Sequence, residues 1–153
     1  YSSLAAIFMK QLIFLIVFLT LVFSAKTQTK ETTLIHFDGF YQTVCDIDST
    51  ERDTTISFLR FYPDGKVISA SLGEFGNVND LKKWFNLRQK NPSLGFYTIT
   101  GTRIYFTTTS NEGTVVYDGQ IQNNYYLDLT VKSLINGFLS NEKYYFIKVS
   151  GLK

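Results

Sequence analysis

From Leu34 onward, apolar and polar positions alternate in short runs, and turn residues interrupt them about every ten positions. A period of two marks half-buried strands. The clearest instance is Phe58 to Ala70, where two β-rich runs flank Pro63-Asp64-Gly65. Pro63 presets φ for the first turn position, Asp64 bonds its own backbone, and Gly65 accepts a positive φ at the exit. The stretch therefore predicts a hairpin with arms Thr54–Tyr62 and Lys66–Leu72. In the second arm Ile68, Ala70 and Leu72 alternate with Ser69 and Ser71, giving one buried and one wet face.

The same reading extends along the chain. Leu34 to Cys45 predicts a first strand, bent or bulged at Gly39. Gly95–Thr100 and Arg103–Thr108 predict a hairpin about Gly101, and Thr114–Ile121 a further strand with Gly119 as a candidate bulge. Leu127, Leu129 and Val131 alternate with Tyr126, Asp128, Thr130 and Lys132, the cleanest period-two run present. Ser133 to Asn141 reads as a longer connection, and Lys143–Val149 as the last strand. Asn79–Lys90 is the one helical pattern, with Leu81, Trp84, Phe85 and Arg88 on one side and Lys82, Lys83, Asn86 and Gln89 on the other. Asn91-Pro92 stops it. The sum is a mainly β domain of roughly eight antiparallel strands, a barrel or a sandwich, with one short helix packed on the sheet or closing a barrel end.

The chain before Leu34 has a different character. Met9-Lys10 precedes an apolar run from Leu12 to Phe23, and Ser24, Ala25 and Thr27 follow. A positive start, an apolar stretch too short to span a bilayer unaided and a small-residue exit predict a secretory signal peptide over 9–27. Residues 1–8 are read as an upstream extension, and 28–153 as one domain, secreted or periplasmic, with no membrane anchor after cleavage. Removing Lys10 and Lys26 with the leader balances the remaining Lys and Arg against the 13 Asp and Glu. That neutrality argues against nucleic acid as a partner. One Cys excludes an intrachain disulfide, so burial must hold the core.

Candidate chemistry is sparse. His36 is the only histidine, which excludes a His pair and a His-rich metal site. Cys45 precedes acids, which would disfavour its thiolate. The Asp46–Asp53 loop lacks the glycine and the closing glutamate of a calcium loop. No phosphate loop or nucleophile elbow is present. The sequence thus predicts no catalytic residue, no metal and no cofactor.

Gly39-Phe40-Tyr41 opens the first strand, and Gly95-Phe96-Tyr97 echoes it. On a secreted chain of about eight strands, Gly39-Phe40-Tyr41 resembles the Gly-x-Trp opening of the lipocalin-like barrels, with Tyr41 at the Trp position. The resemblance implies an up-and-down barrel with an interior for a small apolar or amphipathic ligand. Tyr41, Tyr97, Phe106 and Tyr117 either fill that interior or line a pocket in it, and Trp84 and Phe85 either pack the helix onto the sheet or face the pocket from a helix acting as a lid. The alternative is a module that binds protein or carbohydrate through exposed aromatics. A third class, an enzyme with a carboxylate pair, has no motif behind it.

Overall fold

The structure is a computed structural model and describes residues 34–44, 55–72, 78–123 and 125–152. Eight antiparallel strands close into one up-and-down barrel in sequence order. They are β1 (Gly39–Thr43), β2 (Ile56–Phe61), β3 (Lys66–Leu72), β4 (Ser93–Thr100), β5 (Arg103–Ser110), β6 (Gly113–Gln122), β7 (Tyr126–Ser133) and β8 (Leu139–Lys148). The single helix, α1, spans Val78–Trp84 between β3 and β4. The mainly β, eight-stranded prediction holds, and the barrel is the form adopted. The leader, Cys45 and the acidic loop lie outside the described residues.

Closure is made by β1 against β8, from Gly39 opposite Lys148 to Thr43 opposite Tyr144. The β2–β3, β4–β5 and β6–β7 turns lie together at one end, called the hairpin end below. At the first, Gly65 takes φ 85° and its N–H donates to the Tyr62 carbonyl at 3.1 Å, as the Pro-Asp-Gly triplet requires. Each turn is also bonded to a neighbour: the Tyr97 N–H donates to the Gly65 carbonyl, Ile121 to Thr102, and Phe146 to Tyr125. The entering segment, with Leu34, Ile35 and Phe37, packs into the interior cluster there.

Two apolar clusters lie on opposite sides of the wall. The inner one takes residues from every strand, among them Tyr41, Leu59, Phe61, Val67, Tyr97, Ile104, Phe106, Tyr117, Leu127, Leu129 and Tyr144. The outer one joins Phe40, Phe58, Tyr62, Ile68 and Leu72 to Leu81 and Phe85. Since Phe40, Phe58 and Ile68 alternate with inward Tyr41, Leu59 and Val67, the helix lies on the outside of β1–β3. The apolar face of β3 therefore points outward under α1, and its serine face points into the barrel.

The helix is also shorter than its pattern predicts. The Arg60 guanidinium and the Tyr62 hydroxyl both donate to the Phe85 carbonyl, each at 2.6 Å. In a continuing helix that carbonyl would accept the Gln89 N–H, which goes to Asn86 instead. The capture ends α1 and buries Arg60 against the Tyr62 ring, 4.6 Å from its centroid.

Gly119 is not a bulge. It pairs in register with Ile104 and Leu129, and a Cβ there would overlap the Asp128 carbonyl. The wall simply comes too close for a side chain at that point. Finally, β8 begins at Leu139, four residues before the predicted strand, and the connection shrinks to 134–138.

Candidate functional site

The inner wall changes chemistry along the barrel axis. Toward the hairpin end it is aromatic. Phe61 sits at the centre, edge-on to Tyr41, Tyr97 and Phe106 at centroid distances of 5.6, 5.2 and 5.4 Å. Phe106 stacks on Tyr117 at 4.5 Å. These rings fill this half with edge-to-face and stacked contacts. Four of the six sequence-predicted lining residues, Tyr41, Tyr97, Phe106 and Tyr117, thus meet inside the barrel. The other two do not. Phe85 is fully buried against Phe40 on the outer wall and Trp84 is half-buried beside it, so neither faces the interior and the helix is no lid.

Toward the opposite end, inward positions carry hydroxyls. Alternation and register place Thr43, Ser57, Ser69, Ser71, Ser93, Thr108, Ser133 and Ser140 on the inner face. The Ser69 hydroxyl donates to Ser93 at 3.0 Å, and with its one proton so used it accepts from Thr108 at 2.8 Å. Thr108 is fully buried, so this relay satisfies a hydroxyl that burial would otherwise penalise. The Ser57 N–H donates to the Thr43 hydroxyl at 3.0 Å, tying β1 to β2.

Two tyrosines stand at the border, rings in the apolar half and hydroxyls in the polar half. The Tyr117 hydroxyl lies beside Ser69 and Thr108, and that of Tyr144 beside Ser57. Burial pushes the Tyr117 phenol up, and burial with Tyr117 and Glu142 nearby pushes Tyr144 well above the ordinary tyrosine range. Both therefore remain neutral donors at physiological pH.

Glu142 is the one charged side chain among the inward positions at this end of the described residues. It pairs across β7 with inward Leu129 and is half-buried. The Ser140 hydroxyl donates to its Oε1 at 2.7 Å, and the Tyr144 hydroxyl to its Oε2 at 2.6 Å. No ion pair reaches it among the described residues; the pairs present, such as Arg103 with Asp118 and Lys148 with Asp38, are exposed. Among the described residues, neutral donors alone hold this carboxylate, with inward Val131 opposite Ser140 on β7 and Val115 on the inner face of β6.

Sequence reasoning missed Glu142 and Ser140 because it looked for apolar inward positions. Ser140, Glu142, Tyr144 and Phe146 do alternate, and with a polar interior allowed they announce the strand. His36 lies at the hairpin end, its ring stacked 4.4 Å from Phe146, and its backbone N–H donates to the Tyr41 hydroxyl. It plays no part in the polar half. Among the described residues no three His, Cys, Asp or Glu gather as metal ligands would. Comparison with family models, with curated proteins and with solved structures finds no match to the chain.

Proposed function

We propose that the protein is a secreted, lipocalin-like binding barrel that takes up a small amphipathic molecule in its hydroxyl-lined half. The observation that carries this reading is the division of the inner wall. Aromatic packing occupies the hairpin half, so a ligand belongs in the other half, where hydroxyls and Glu142 share the inner face with Val115 and Val131. Such a wall offers oriented hydrogen bonds to a polar head and methyl surface to an apolar body, the usual division of labour in a small-molecule site. Tyr117 and Tyr144 supply the floor. The Gly39-Phe40-Tyr41 opening, with Tyr41 buried inward at the hairpin end, supports the likeness to lipocalin-like barrels.

The test is native mass spectrometry of protein purified from its own source, followed by titration of any copurifying compound into the stripped protein. Saturable binding that weakens in Ser69→Val and Tyr144→Phe supports the reading. Binding indifferent to both variants would move the site to the outer wall. There Phe96 and Tyr105 are exposed on neighbouring strands, and Tyr126 stacks on Tyr145 at 5.4 Å, a surface suited to protein or carbohydrate.

A further inference from the structure

Glu142 narrows the ligand further. A half-buried carboxylate inside a barrel, facing hydroxyls rather than cations, is a charge whose compensation by hydrogen bonds is only partial. Its two bonds come from Ser140 and Tyr144, one to each oxygen, and each oxygen keeps a further acceptor position. Among the described residues, every other inward group at this end is a neutral hydroxyl or an apolar side chain. The charge that the described residues place inside this half therefore has one sign. Hydroxyls accept from an ammonium as readily as they donate to an anion, so they leave the selection by charge to the carboxylate.

We propose that the barrel selects amphipathic cations: a protonated amine held by Glu142 and the adjoining hydroxyls, with its apolar body against Val115 and Val131. The proposal rests on the binding reading above and adds the sign of the ligand's head. A divalent metal is the poorer occupant, since the one carboxylate among the described inward residues supplies too few anionic oxygens for a protein-held site. An anionic amphiphile such as a fatty acid would place like charge against Glu142 and leave both heads uncompensated.

Three probes with one body separate the claims: n-octylamine, n-octanol and octanoate, each titrated into the mature protein and followed by tyrosine fluorescence and calorimetry. Wild-type protein is expected to bind the amine roughly tenfold or more tighter than the alcohol, as a charge-assisted bond inside protein allows. Octanoate is expected to bind weakest. Glu142→Gln keeps acceptor and donor capacity without charge and should bring the amine down to the alcohol. The exposed turn variant Glu112→Gln should leave the preference intact. Equal binding of all three probes by wild type, or tighter octanoate, overturns the charge selection while sparing the binding reading. Saturation by none of them overturns both. Because the wild-type series alone decides, the result does not depend on the variant folding.

Discussion

Glu142 and Tyr144 show how much a single inward position can set. One strand apart from purely apolar Leu127 and Leu129, they turn the same wall from core into a polar surface. The neighbouring phenols carry a pH signature. Burial raises Tyr41 to about 12 and also lifts Tyr117 and Tyr144. In the unfolded chain a tyrosine ionises near pH 10, so above that pH the folded barrel binds more protons than the unfolded one. Stability is full below about pH 10 and falls as the pH rises through the folded values, by about 1.4 kcal/mol per unit for each phenol. Denaturant melts across this window should show the fall, and Tyr41→Phe should make it shallower between pH 10 and about 12. Facing is tested on β7. Leu129 is fully buried inward, whereas its neighbour Thr130 is exposed and donates to the Asn141 amide oxygen at 2.8 Å. Leu129→Asp should cost more than about 4 kcal/mol and Thr130→Asp about 1 kcal/mol, read as midpoint shifts in urea at constant slope. Equal costs would reverse the assigned faces. Tyr41, Tyr97, Phe106 and Tyr117 were legible from the sequence because rings on alternating strands have few places to go. Glu142 was not, since a lone acid in a polar stretch looks the same whether it faces solvent or a cavity.

Turn chemistry made the strands legible. Pro63-Asp64-Gly65 and the turns at Gly101 and Asn123 set the strand ends, with Asn123 at φ 50°. What local pattern withheld was the side of the wall. On β2 and β3 both faces carry bulk, with Phe58, Tyr62 and Ile68 outward and Leu59, Phe61 and Val67 inward. Two-sided hydrophobicity of that kind signals a covered outer face, and it explains why α1 lies there rather than across an opening. The consequence for mutation is a clean separation. Phe85→Ala empties a fully buried site and should cost about 3–5 kcal/mol in denaturant melts. Trp84→Ala should leave the affinity of any interior ligand unchanged in a folded protein. A loss of binding with Trp84 alone would return the helix to the role of a lid.

The whole chain carries a leader reading and a barrel that answer to different measurements. N-terminal sequencing of the protein from its own source is expected to begin near Gln28 if the proposed signal peptide is removed, and recovery of Leu15 or Phe18 in the mature product would overturn that proposal. The barrel's seam bears on timing. Seven of its strand pairings join neighbours in sequence, while β1 meets β8 across nearly the full length of the domain. Bringing Gly39 to Lys148 costs roughly 3 kcal/mol more in chain entropy than closing a four-residue turn. Local hairpins can therefore zip first, and the seam forms when the ladder is already in place. Until the tyrosines of β8 have left the ribosome, β1 has no partner on that side and the growing sheet keeps an open edge. A chain threaded outward from its N-terminus thus remains unsealed for most of its passage, and the last strand to arrive is the one that brings Glu142 into the wall.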